Sequence, residues 1–280
     1  MSVAKSTILS KKMNKPPKIA LLTLDSAISN QAINGFIKKH HDRLGLVIVS
    51  NPMGSRRGGS IGQFIQLYRH SGLKFALYLT YCFFVFPLIL AGDFLISELL
   101  GRTGEKLSIK QQCKLYNIPY KSSDNINSRQ ISRLLEELGI DLIISCFFDQ
   151  ILHDEIIKLP GLVCLNMHPG ILPGCRGVFP EFHTAAGKYP AFGITIHRID
   201  DASIDTGRIL LAKTVDVNGM KSMLAIGRKL LTEGLTAMDE ILPDIESRLA
   251  NAKSQGEGNY YSYPSREDIR KLEDAGFTLW

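Results

Sequence analysis

Neither a C-x-x-C pair nor an H-x-x-x-H spacing occurs in this 280-residue chain, so no metal site is indicated. The five cysteines (Cys82, Cys113, Cys146, Cys164, Cys175) are scattered and odd in number. They do not read as a disulfide framework. Cys146 and Cys164 sit in apolar, strand-like runs and read as buried thiols of a reducing compartment. The N-terminus lacks the apolar core and small-residue cleavage site of a secretory signal, which makes the cytoplasm the expected location. Charge of either sign is not in large excess: 33 basic residues face 27 acidic ones, a net charge of +6. Lys5, Lys11, Lys12, Lys15 and Lys18, with Arg56 and Arg57, read first as a solvated tail and loop. Attraction to anionic phosphates or a membrane surface is the alternative. The turn after the first strand, Asp25 to Asn30, has no glycine, so dinucleotide binding is not supported. There is no internal repeat.

What is present fits one large α/β core. Residues 1–17 form a polar leader ending in Pro16-Pro17. Ile19 to Leu24 reads as a strand. Asp25, Ser26 and Ser29 offer caps for a helix over Asn30 to His40, and Leu44 to Ser50 is a second strand. This β-α-β unit predicts a Rossmann-like, mostly parallel twisted sheet flanked by helices. A helix follows over Leu107 to Asn117, and a short strand opens at Ile118, with Ser122 to Asp124 as loop. Ser128 caps a helix to Leu138, and Asp141 to Phe148 is a further strand. Leu162 to Leu165 reads as a short buried strand, with His168 just beyond it. Gly193 to Ile199 alternates, placing Thr195 and His197 on one face and Ile194 and Ile196 on the other. Ile209 to Val217 reads as the last strand. Met220 to Leu249 is an amphipathic helix bent near Gly234. Asn251 to Ser262 is a polar linker, and Ser265 with Asp268 opens a final short helix. The expected organisation is a leader (1–17), a catalytic domain (18–218) with an apolar helical insertion (54–103), and a C-terminal helical extension (219–280).

The insertion is the unusual stretch. Phe75 to Gly92 is eighteen residues without a charge, the threshold length for a membrane span. Pro87 and Thr80 lie inside it. A buried or dimer-facing helix is the leading reading, a membrane-surface helix the second and a span the third. An exposed apolar face of this size needs a partner, so residues 61–100 are expected to serve a homodimer or a membrane-surface contact.

Chemistry concentrates between Leu165 and Leu210. Asn166 and His168 bracket the end of a strand, and Pro169, Gly170, Pro173, Gly174, Gly177 and Pro180 disfavour regular structure after it. A shaped loop at the carboxyl end of a strand is where open α/β sheets place ligands. The order N-x-H-P-x-x-L-P, R-G-x-x-P, G-x-T-x-H and D-T-G-x-I-L resembles the folate-dependent formyltransferases. That family formylates glycinamide ribonucleotide, methionyl-tRNA and amino sugars on nucleotide carriers. The likeness is specific over residues 140–217, weaker over 18–139 and slight beyond 218. Asp205-Thr206-Gly207 also matches the aspartic-protease triplet, but that chemistry needs two such carboxylates sharing a proton and the chain has one copy.

The resemblance implies 10-formyltetrahydrofolate as co-substrate and a primary amine on a small molecule as acceptor, with no nucleic acid expected. It implies that Asn166 donates to the formyl oxygen, that His168 serves as acid-base group, and that Asp205 tunes His168 and passes protons. An amide and an imidazole suit these tasks, because acyl transfer builds charge on the carbonyl oxygen while a proton leaves the amine. It also implies folate contact by Phe148, Gln150, Ile151 and Leu152. Arg176 and Gly177 are expected to shape the loop and reach a substrate phosphate. His183 and His197 are weaker candidates. The glycine-free turn weighs against glycinamide ribonucleotide, and the short tail weighs against tRNA. That leaves a nucleotide-linked amino sugar as leading acceptor. Formylfolate hydrolysis, or a membrane-associated or scaffolding protein on the same fold, are the alternatives.

Overall fold

The computed structural model describes residues 16–51, 59–99 and 107–280. Most of the expected leader and the basic loop at Arg56 and Arg57 lie outside the described residues. Seven strands form one sheet in the order β3-β2-β1-β4-β5-β7-β8. The first five are β1 (Ile19–Thr23), β2 (Leu44–Ser50), β3 (Tyr120–Ser123), β4 (Leu142–Cys146) and β5 (Val163–His168). They pair in parallel. β7 (Gly193–Arg198) and β8 (Ile209–Thr214) close the edge antiparallel. The short β6 (Arg176–Gly177) pairs with β9 (Tyr260–Tyr261) outside the main sheet. The central strands are apolar on both faces because both faces are covered. Ile19 and Leu21 of β1 enter one apolar cluster, while Ala20 and Leu22 enter the other.

α1 (Asn30–His40) connects β1 to β2. Its start is held by Ser26, whose Oγ accepts from the N–H groups of Ile28 and Ser29. α2 (Gly59–Ser71), α3 (Leu73–Thr80) and α4 (Phe86–Leu99) form the insertion; α5 (Ile109–Leu115) and α6 (Arg129–Glu137) follow. Ser108 and Ser128 cap the last two. α7 (Asp154–Ile157) and α8 (Pro180–Ala185) are short, and α9 (Met223–Ile241), α10 (Ile245–Ala250) and α11 (Arg266–Asp274) complete the chain. The capping box expected at Ser265 and Asp268 is present.

Four local expectations are corrected. Ser122 and Ser123 belong to β3, not a loop. β5 runs through His168, which is therefore a buried strand residue, 3% exposed. α9 is unbroken at Gly234 and stops at the 3-10 turn Leu242–Asp244, where Pro243 has no N–H to continue the ladder. Gly234 instead lets α9 approach β5, since a Cβ there would lie 2.2 Å from Sδ of Met167. The stretch from Asn251 to Ser262 is not a free linker. Lys253 bridges Ile209, and Tyr260 and Tyr261 form β9. The final residues pack into the main core through Ile269, Leu272 and Leu279.

The insertion is a helical hairpin in which α2 packs on α3. Between α3 and α4 runs one π-helical turn, Tyr81–Val85. Pro87 lies just after it and offers no N–H to the ladder. The carbonyl of Cys82, five residues before the proline, accepts instead from the N–H of Ala27, at 3.0 Å. The proline thus ties the insertion to the β1–α1 turn. Phe75, Ala76, Tyr78, Leu79 and Cys82 are buried. Further along Leu90 is buried, but Val85, Leu88, Ile89, Leu95 and Ile96 are exposed, so burial accounts for only part of the helix.

Gly234→Val should destabilise the chain by about 1–3 kcal/mol, the usual cost of overpacking, because the branched side chain must displace buried Met167. Urea unfolding of the two proteins checks this.

Candidate active site

The register of β5 against β7 assembles the site. Asn166 lies opposite His197, and His168 opposite Thr195. Residues two apart on a strand share a face, so the polar pairs project together while Leu165 and Ile196 go to the core. Thr195 Oγ1 donates to the carbonyl of Gly170 at 2.8 Å and accepts from the N–H of Leu172 at 3.1 Å. These two bonds fold the Gly/Pro loop back over the strands. Asp205 arrives from the turn before β8 with φ of 55°, a left-handed conformation that non-glycine residues rarely adopt.

Asp205 is the centre of the cluster. Its Oδ2 accepts from the N–H of Gly177 at 2.9 Å and faces His168 Nδ1 at 3.4 Å. Its Oδ1 accepts from Asn166 Nδ2 at 3.3 Å and faces His197 Nε2 at 3.3 Å. Asn166 Nδ2 also reaches His197 Nε2 at 3.1 Å. His168 Nε2 faces the carbonyl of Cys175 at 2.7 Å, and His197 Nδ1 that of Arg198 at 2.8 Å. A carbonyl only accepts, so each of those nitrogens carries a hydrogen. In a neutral ring His197 Nε2 then accepts from Asn166. Both Asn166 N–H groups are thereby engaged, and donation to a formyl oxygen requires that one be exchanged.

Burial pushes His168 below its ordinary value of 6.5, and the Asp205 charge and the Cys175 carbonyl only partly offset this. The imidazole is neutral at pH 7 and able to take a proton. Burial would raise Asp205, but His168, His197 and the Gly177 N–H together hold it well below the usual carboxylate range. The cluster therefore keeps a fixed anion beside a neutral base.

The cluster opens into a cleft of about 1440 Å³ lined by Asn166, His168, Gly177, His197 and Asp205. Phe148, Gln150, Ile151 and Leu152, which the resemblance puts against folate, line it too. The Gln150 side chain is occupied, however. It donates to Ser50 Oγ and the Ser123 carbonyl and accepts from the Ile126 N–H, binding three strand ends together. The Arg176 guanidinium bonds Gln255 Oε1 and the Gly256 carbonyl, tying its loop to the C-terminal stretch, and it is not among the cleft-lining residues. Gly177 holds φ of 104° with Tyr261 O only 2.0 Å from where a Cβ would stand. Glycine alone fits there, and its N–H is what Asp205 receives.

Several participants carried little or no sequence signal. Gln255 donates to the carbonyls of Asp205 and Gly207, fixing the strained turn from the C-terminal stretch. Glu181, at the start of α8, is 3% exposed and lines the cleft, and its Oε2 has no hydrogen-bond partner. Burial pushes it up to about 7. Phe64, Leu67, Arg69, His70, Phe83 and Phe84 bring the insertion into the wall. His197 was underrated: its alternation was legible, but its strand partner was not.

Two outcomes follow. NMR titration should place the His168 imidazole below 6.5 and lower still in Asp205→Asn, since the carboxylate is what supports its charged form. Glu181 holds its proton more tightly folded than unfolded between its ordinary 4.5 and about 7. The stability this gives at acid pH is lost as pH rises through that window. Glu181→Gln should match wild type near pH 4 and exceed it above pH 7 by up to about 3 kcal/mol. Urea unfolding at the two pH values tests it.

Comparison with known proteins supplies the family. A family model described as formyl transferase matches residues 101–242. The methionyl-tRNA formyltransferase of Alcanivorax borkumensis is 26% identical over 174 residues, 62% of this chain and 52% of that protein. The chain thus spans about half the length of the curated relatives it matches. Among solved structures, a sugar N-formyltransferase from Shewanella shares the fold at a TM-score of 0.52 and 18% identity, covering 92% of this chain and 87% of that one. An N-formyltransferase from Helicobacter canadensis, solved with folinic acid and dTDP-3-aminofucose, does so at 0.52 and 17%, covering 92% and 80%. With the family model spanning half its length and its motifs gathered at one cleft, the chain belongs to the formyl transferase family.

Proposed function

We propose that this protein transfers a formyl group from 10-formyltetrahydrofolate to a primary amine of a small molecule. The carrying observation is the convergence of Asn166, His168 and anionic Asp205 at one cleft. In this reading the amine nitrogen attacks the formyl carbon, and Asn166 exchanges one internal bond to donate to the growing oxyanion. Neutral His168 receives the proton that leaves the incoming amine, and Asp205 stabilises the resulting imidazolium. The C–N10 bond of the donor then breaks, and N10 leaves protonated, completing the balance. The folate lies against Phe148, Gln150, Ile151 and Leu152, with the loop backbone and not the Gln150 side chain as the polar contact.

A nucleotide-linked amino sugar is the leading acceptor. Its support is the family's range, the glycine-free Asp25 to Asn30 turn, and the fold shared over 92% of the chain with sugar N-formyltransferases. Methionyl-tRNA is the second reading, favoured by the curated relatives.

Release of tetrahydrofolate should depend on one member of a panel of amines that includes nucleotide-linked amino sugars. Release without any amine would point to hydrolysis instead. His168→Asn should lower transfer by about 10²-fold or more. Because His168 is a buried strand residue, a melting curve must accompany the assay. A folded variant with full activity would sink the assignment.

A further inference from the structure

Helix residues Leu73–Ser97 are long and apolar enough to cross a bilayer by length and composition. Leu73, Leu77, Val85, Leu88, Leu95 and Ile96 are all exposed, Leu88 by 73%. Their spacings of three, four, seven and eight residues set them along one stripe. Asp93, also exposed, lies beside that stripe, not opposite it. The opposite side is used, since Phe75, Tyr78 and Cys82 enter the core, and at the π-helical turn Phe83 and Phe84 line the cleft.

Geometry separates the three candidate partners. The part beyond the π-helical turn, Phe86–Leu99, has 14 residues, or ~21 Å of helix. Among the described residues that length falls short of the ~30 Å hydrocarbon core. A second copy is also a poor match. The whole stripe, ~38 Å long and ~10 Å wide, offers roughly 400 Å², half of the ~800 Å² per partner that a stable interface buries. A lipid surface needs no such area.

Charge and aromatic placement agree with lipid. Arg56, Arg57, Arg69, Lys74, Arg102 and Lys106 accompany the hairpin in sequence, against three acidic residues, Asp93, Glu98 and Glu105. Arg69 and Lys74, both exposed, stand at the turn between α2 and α3; Arg69 also lines the cleft, and Lys74 is paired with Glu273 at 2.7 Å, a surface pair of small energy. Trp280, 53% exposed, packs edge-on to Tyr81 at 5.3 Å, beside the middle of the stripe. A half-exposed tryptophan packed on a tyrosine at the flank of an apolar helix suits the headgroup level.

We infer that the stripe on Leu73–Ser97 docks the protein on one leaflet of an anionic phospholipid bilayer, with the helix lying in the interface and Arg69, Lys74 and Trp280 at headgroup depth. The docking is independent of the formyl-transfer reading. It brings a wall of the cleft to the lipid surface, because α3 and the π-helical turn serve both.

The test is flotation of the full chain, purified without detergent, on vesicles of phosphatidylcholine with about a third phosphatidylglycerol. The protein should float with these vesicles and less at high salt. Leu88→Glu combined with Ile96→Glu should cut binding by about tenfold or more, while circular dichroism and the melting curve stay unchanged because both positions are exposed. Wild type that stays at the bottom of the gradient, as monomer or dimer, would overturn the proposal. So would a dimer that the two substitutions split while flotation persists. Formyl transfer to a soluble amine, measured in parallel, separates this outcome from failure of the functional reading.

Discussion

One buried carboxylate organises the site. Asp205 is only 8% exposed, and an ion so far from water is tolerated only if its oxygens are satisfied. The fold brings donors from β5, through Asn166, and from β6, through the Gly177 N–H, and sets the His168 and His197 rings beside the carboxylate. Its own carbonyl is bonded by Gln255 from the C-terminal stretch. These groups come from several separate lengths of chain, so the anion acts as a common anchor for them. The left-handed backbone at Asp205 costs roughly 1–3 kcal/mol at a non-glycine residue, and these bonds offset it.

The sheet explains why those lengths meet. β1 to β5 run parallel with buried faces, and their carboxyl ends leave a crevice where the strand order turns outward from β1 to β4. β7 then pairs antiparallel with β5, putting a second set of polar side chains beside the first. The same crevice receives the insertion. Its hairpin is anchored by the Ala27 N–H on the Cys82 carbonyl and by aromatic packing of Phe75 on Phe179 and Phe182. This one hairpin therefore has a cleft face, a core face and a solvent face.

Much of this was legible in the sequence. α1 and β2 were placed from periodicity and caps, because local pattern and tertiary burial agree there. Asn166, His168 and Asp205 were found from ordered motifs. The structure brings the three together within hydrogen-bonding or near-bonding distance. What sequence reading missed was non-local. His197 depended on a strand register, and Glu181 on the burial of a charge that the sequence shows as ordinary. Arg176 was expected to shape its loop, but its partner Gln255, 79 positions away, carried no signal. Gly234 looked like a bend because glycine weakens helices, yet here its missing side chain makes room for Met167.

The C-terminal stretch carries a consequence for where this protein can be divided. The family likeness ends at residue 242, and a boundary drawn there keeps every motif residue. It removes Gln255, which holds the Asp205 turn, and Tyr260 and Tyr261, whose strand keeps the Gly177 N–H aimed at the carboxylate. A chain cut at that point retains the chemical groups of the site and loses the framework that sets their geometry.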